Sequence, residues 1–187
     1  MFLHPHTFIK GSVGDACQLL EGLFEFDCIV IQDPAILQQH LLSIKNFLNN
    51  KGFIIINGTI DDFLSEAMRN CCTETFIVQD NEYTLCYCES NKQHQFFLKH
   101  EIKKFLQHRH MDLPASICQV LKRDASILVL GDNKADIANA VYFYNGPGKE
   151  DIKLVSITEK LTTEIQVRLE MLTKRYNVKC NRILLEQ

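Results

Sequence analysis

The sequence predicts an α/β protein built on a doubly wound, mainly parallel sheet that ends in an antiparallel hairpin, and three observations carry that expectation. Four short apolar runs, FDCIVIQD (26–33), GFIIING (52–58), SILVLGD (126–132) and IKLVSIT (152–158), have the near-continuous pattern of strands buried on both faces. Segments of helical periodicity separate them, at the length that a crossover between parallel strands requires. The chain has 187 residues, 46% of them hydrophobic, which suffices for one well-buried domain and is short for two. The four runs are therefore expected side by side in a single sheet.

Taken in order, HTFIK (6–10) is strand-like, and DACQLL begins a short helix with Asp15 in its first turn, where the macrodipole favours an acid. The run 26–33 reads as a central strand stopped by polar residues and Pro34. Between it and the run 52–58, Ile36, Leu37, His40, Leu41, Ile44, Phe47 and Leu48 recur at helical spacing, closed by Asn49, Asn50 and Gly52. Asp61 and Asp62 open a further helix through about Asn70. TFIVQD and YTLCYCE then flank Asp80-Asn81-Glu82, a compact turn with hairpin chemistry.

Residues 91–124 change character. FFLKHEIKKFLQHRH and PASICQVLKRD are amphipathic helical stretches divided at Asp112-Leu113-Pro114, a helical connector. After the strand at 126–132, a helix is expected from Ala135 to Tyr144 and a turn at Asn145-Gly146-Pro147-Gly148. LTTEIQVRLEMLTKRY reads as a helix with Lys174 and Arg175 in its last turn, and VKCNRILLE as a final strand.

Composition narrows the function classes. Net charge is −3 with pI near 6.2, and lysine and arginine are scattered, so no electrostatic footprint for nucleic acid is expected. The N-terminus lacks a basic segment followed by an apolar one, and no window approaches the ~20 apolar residues of a membrane span, so a cytoplasmic protein with no membrane partner is expected. Of eight cysteines, Cys28, Cys86 and Cys88 sit inside strand-like runs and read as reduced, buried thiols. Cys71, Cys72, Cys86 and Cys88, with His94, His100, His108 and His110 nearby in sequence, show no zinc-type spacing.

In open parallel sheets ligands bind beyond the carboxyl ends of strands, near the point where strand order reverses. Three segments meet that rule: Gln32-Asp33-Pro34, Asn57-Gly58-Thr59 and Gly131-Asp132-Asn133. On these residues the chain resembles the class I S-adenosylmethionine-dependent methyltransferases, with the halves exchanged. Residues 14–57 resemble the late half of that family and residues 126–159 its early half. The resemblance implies one circularly permuted, Rossmann-like domain over 1–187, with the late half in 1–90, the helical connector in 91–124 and the cofactor-binding half in 125–187. The cut would fall beside an edge strand, where both HTFIK and VKCNRILLE could pair. Exchange of such a strand between two chains would make a homodimer.

The resemblance implies S-adenosylmethionine as cofactor. Gly131, Asp132 and Asn133 stand at the family's glycine-rich turn, with Asn133 and Ala135 where further glycines are usual, and Glu159 stands near the ribose-binding acid. Gly14-Asp15-Ala16 resembles the adenine-contacting segment, which assigns Asp15 and Ala16 to the cofactor, although Asp15 equally suits a helix cap. The late half is most similar to catechol-type O-methyltransferases, but Gln32 and Asn57 replace metal-binding acids with neutral amides. No metal is therefore expected, and any activity should be metal-independent. Asp33-Pro34 resembles the Asn/Asp-Pro-Pro-aromatic motif of amino-methylating enzymes, without its second proline and aromatic, which makes Asp33 and Gln32 the candidate catalytic pair. Two readings stay open: a methyltransferase acting on a small molecule or another protein, and a catalytically silent methyltransferase-like binding or assembly module. A nucleotide sensor built on Gly131-Asp132 lacks the basic cluster that phosphates would need.

Overall fold

The computed structural model describes residues 6–58, 61–71, 75–79, 83–88, 92–108, 116, 119–121, 125–131, 153–158, 162–176 and 180–184. Their elements are β1 (His6–Lys10), α1 (Val13–Leu20), β2 (Phe26–Ile31), α2 (Pro34–Phe47), β3 (Leu48–Asn57), α3 (Asp62–Cys71), β4 (Thr75–Gln79), β5 (Tyr83–Cys88), α4 (Lys92–His108), β6 (Ser126–Leu130), β7 (Lys153–Thr158), α5 (Thr163–Tyr176) and β8 (Cys180–Leu184). The helix expected at 135–144, the turn after it and most of the second half of the connector lie outside the described residues.

All eight strands join one mixed sheet in the order β4-β5-β3-β2-β6-β7-β1-β8. The four apolar runs are its neighbours β3, β2, β6 and β7, and all three of their pairings are parallel. Only β5 runs against its neighbours, forming the expected hairpin with β4 and docking on β3. At the other side β1 lies between β7 and β8, parallel to both, so segments from the two halves of the chain alternate across the sheet.

The burial pattern explains why the strands are apolar at nearly every position. Ile29 and Ile31 of β2, Ile54 and Ile56 of β3, Leu128 and Leu130 of β6, and Val155 and Ile157 of β7 share one core with the helices. The intervening residues Cys28, Val30, Phe53, Ile55, Ile127 and Val129 are buried as well, so neither face of the central parts of β2, β3 and β6 is exposed to water. In α1, Val13, Ala16, Cys17 and Leu20 recur at helical spacing on the buried side. From α2 come Leu37, Ile44 and Phe47, the last meeting Phe26 edge-on at 6.2 Å between ring centroids.

The start of β3 differs from the sequence expectation. Asn49, Asn50 and Gly52 were expected to close a helix, whereas α2 already ends at Phe47 and Leu48 pairs with Phe26. The next pair is Cys28 with Phe53, so β3 carries extra residues there. Lys51 adopts φ +67, and a Cβ on Gly52 would lie 2.8 Å from the Asn49 carbonyl oxygen. The half-buried Asp27 holds this irregular corner. One carboxylate oxygen accepts from the Asn49 side-chain amide at 3.0 Å, and the other from the Ser126 backbone N–H at 3.0 Å.

Because one carboxylate satisfies donors on both β3 and β6, Asp27→Ala is expected to cost ~1–3 kcal/mol of stability. A lower urea midpoint with an unchanged slope would register that loss.

Candidate active site

The site is built where β2 and β6 end. In the strand order β2 is followed outward by β3 on one side and β6 by β7 on the other, so the order reverses at the β2–β6 boundary, the place where open α/β sheets bind ligands. The hydrogen-bond ladder continues past both strands. Gln32 N–H donates to the Leu130 carbonyl at 2.9 Å, and Gly131 N–H donates to the Ile157 carbonyl at 3.0 Å. These bonds fix the backbone of the two expected segments relative to each other.

Asp33 is held extended (φ −123, ψ 118) because Pro34 follows it, and Pro34 opens α2 at a position that needs no N–H. One Asp33 carboxylate oxygen accepts from Ala35 N–H at 2.9 Å, and the Asp33 carbonyl accepts from Ile36 N–H at 3.0 Å. Asp33 is thus the N-cap of α2, exposed at the end of β2. Gln32 beside it is half-buried, and its side-chain amide has no hydrogen-bond partner among the described residues.

Gly131 has φ +100, a conformation that strains any L-residue. The sequence assigned it to close approach of a ligand. In the structure the space of a Cβ is bounded by protein, with Ile36 Cδ1 at 3.1 Å and Gln32 Cβ at 3.2 Å. Its glycine is therefore demanded by the packing of β6 onto the β2–α2 turn as well as by its backbone angle. Gly58, at φ +136, ends β3 on the other side, and a Cβ there would meet Pro34 Cγ at 3.6 Å. Gly131, Gln32, Asp33, Pro34 and Gly58 consequently form one row across three strand ends.

Thr84, which the sequence reading did not single out, completes the row. It is fully buried in β5, and its Oγ1 donates to the Gly58 carbonyl at 2.8 Å. A single threonine in the run YTLCYC was the available signal, since a buried hydroxyl needs a partner.

The segment after β1 is organised by its own helix cap. Ser12 Oγ accepts from Asp15 N–H at 3.1 Å and donates to an Asp15 carboxylate oxygen at 2.7 Å. Asp15 is exposed, whereas Ala16 is fully buried in the core and its N–H donates to the Ser12 carbonyl. The first turn of α1 meets α2 at His40, whose φ/ψ of −126/27 breaks the helix and whose Cε1 would lie 3.5 Å from a Cβ on Gly14. Cys17 on the same helix has its thiol pushed up to about 11, by burial first and then by the charge of Glu21, so it stays protonated near neutral pH. Asp132, Asn133 and Glu159 lie outside the described residues. Among the described residues no group of three or more His, Cys, Asp or Glu side chains is placed to hold a metal ion, and no helix is long and apolar enough to cross a membrane.

The fold is that of the class I methyltransferases, as its solved neighbours show. A provisionally assigned DNA modification methylase from Thermus thermophilus, solved with S-adenosyl-L-methionine, matches 97% of this chain and 99% of its own at TM-score 0.62 and 10% identity. The complex of M1.HpyAVI with the same cofactor matches 92% of this chain and 100% of its own at TM-score 0.56 and 11% identity. No protein-family model and no curated protein matches the sequence. The Thermus thermophilus neighbour corrects the expectation that nucleic acid is excluded, because it is described as a DNA modification methylase. The physical fault in that expectation is averaging: a net charge of −3 over the whole chain says nothing of the charge on one surface.

Two substitutions test the row. Gly131→Ala is expected to cost ~1–3 kcal/mol through its left-handed backbone, with Ile36 and Gln32 adding crowding. Thr84→Val is expected to cost ~1–3 kcal/mol by leaving the Gly58 carbonyl without its donor. Equilibrium denaturation of each variant measures both.

Proposed function

We propose that this chain is an S-adenosylmethionine-dependent methyltransferase whose acceptor is a nucleobase amino group. In this reading it is a single, circularly permuted domain over 1–187, with residues 1–90 as the late half of the fold and 125–187 as the early half. The observation that carries the reading is the junction of Gly131 with Gln32-Asp33-Pro34 at the switch point. It is supported by the cofactor bound in both neighbours and by the DNA named in the description of the Thermus thermophilus methylase. A nucleobase replaces the small-molecule or protein acceptor expected from the sequence.

The residues present suit the cofactor: a left-handed glycine backbone at the end of β6 and an exposed carboxylate at the first turn of α1. Gly131 and Asp15 would hold it, and the resemblance adds Asp132, Asn133 and Glu159, which lie outside the described residues, as cofactor residues. Bound there, S-adenosylmethionine supplies an electrophilic methyl group on a sulfonium. Gln32, whose amide has no partner among the described residues, accepts a hydrogen bond from the target amine and orients its lone pair for in-line displacement. Asp33 caps α2 and thereby fixes the turn that carries Gln32. From the likeness to catechol-type enzymes we keep the strand-end positions and not their metal, since Gln32 and Asn57 are neutral. The protein is assigned to the cytoplasm, where buried thiols such as Cys28 and Cys86 stay reduced.

One observation favours the silent module. Ile36 occupies the place of the motif's aromatic and packs toward Gly131. A single measurement separates the readings. For the enzyme, S-adenosylmethionine at 100 times its Kd adds about 2.7 kcal/mol of stability and raises Tm, and methyl transfer survives EDTA. For the module, Tm does not move. Restoration of activity by magnesium after chelation would overturn metal independence.

A further inference from the structure

The outward face of α4 takes no part in the site described above. Leu98 and Ile102 bury the inner side of this helix, which packs against β4 at the sheet's edge. On the opposite side Phe96 is 76% exposed and Phe97 is 59% exposed, and His100, Lys103, Lys104 and His108 are exposed with them. At 100° per residue these six positions fall on one face, interleaved at i, i+3 and i+4. The helix carries four lysines against one glutamate, in a chain whose net charge is −3. Glu101, its single acid, lies at the border of that face and is half-buried.

Such a face has two separate capabilities. Adjacent exposed lysines such as Lys103 and Lys104 can each neutralise a phosphate of a polyanion. Adjacent phenylalanines cannot hydrogen-bond to base edges in a groove, but they can stack on bases that are already unpaired. Exposed aromatics with a cationic surround, and no carboxylate among them, complement a single-stranded polyanion better than an apolar protein surface. We propose that the outward face of α4 binds single-stranded or locally unpaired nucleic acid, with Phe96 and Phe97 as the stacking platform and Lys103 and Lys104 on the phosphates.

This proposal rests on the nucleobase reading and extends it. Chemistry on a base requires that the base leave the stack, and an α4 platform would hold the strand in that state. β4, against which α4 packs, is three strand spacings from β2, roughly 15 Å at the usual interstrand distance. That separation is short enough for one oligonucleotide to reach both.

The test is fluorescence anisotropy of the full chain with a labelled single-stranded oligonucleotide and with its duplex, over a salt series. Wild type is expected to prefer the single strand. Phe96→Ala with Phe97→Ala should weaken that binding by roughly 10- to 100-fold, and Phe96→Trp with Phe97→Trp should restore it. Lys103→Gln with Lys104→Gln should lower the slope of log K against log salt by about 1.4. Each variant should keep the wild-type Tm and the wild-type Tm shift with S-adenosylmethionine, since none of these residues lies in the site. If the variants bind the oligonucleotide as wild type does, the α4 assignment falls and the nucleobase acceptor stands. If wild type binds no nucleic acid at any salt while the cofactor still binds, the acceptor class falls as well. Capture by phosphatidylserine vesicles, or a dimer lost in the phenylalanine variant, without oligonucleotide binding, would equally overturn it.

Discussion

The pairing of β2 with β6 is the contact on which the rest of this structure depends. It unites segments 99 residues apart, as measured by the bond from Ser126 N–H to Asp27. Closing a loop of that length costs on the order of 4 kcal/mol in chain entropy beyond a constant. What offsets that cost is visible in the register: Cys28, Ile29, Val30 and Ile31 meet Ile127, Leu128, Val129 and Leu130, all of them buried. A buried aliphatic side chain contributes about 1.5–3 kcal/mol, so a few such pairs suffice. The Asp27 carboxylate adds direction, because it satisfies a donor on each neighbour of β2 and so disfavours a slipped register.

From that pairing the geometry of the two strand ends follows. Once β6 stands beside β2, the Gln32 and Gly131 N–H groups find carbonyl partners on the next strand over, and the glycine must turn with φ +100. The same turn then has no room for a side chain, because Ile36 and Gln32 fill its flank. Site and core are therefore one object: Gly131 cannot be altered for ligand binding without also being altered for packing. This is why a loss of function in a Gly131 variant would be uninformative unless its stability were measured too.

Much of this was legible in the sequence, and the parts that were not share a cause. The four central strands could be read because their runs 26–31, 53–56, 127–130 and 154–157 are apolar at every position but Asp27 and Ser156, a signal local to each run. Pro34 after Asp33 is an equally local signal, whereas the cap of α1, expected at Asp15, falls to Ser12, whose hydroxyl accepts from Asp15 N–H. Thr84 could not be read as a support for Gly58, since the two are joined only by the antiparallel register of β5 on β3. The neighbours of Gly131 come from a segment almost a hundred residues earlier. Asn49 to Gly52 resembled a helix end because side-chain amides and glycine suit both a helix end and an irregular strand start. The charge on α4 was hidden for a different reason, being cancelled in the sum by acids elsewhere.

The position of β1 has a consequence for how the protein is made. Its partners are β7, where His6 pairs with Leu154, and β8, where His6 pairs with Cys180. A ribosome that adds ~5–20 residues per second therefore releases this strand several seconds to half a minute before either neighbour exists. Throughout that interval both of its backbone edges offer unpaired donors and acceptors. Shielding of the nascent chain over that interval, rather than the stability of the finished sheet, would then set the yield of folded protein.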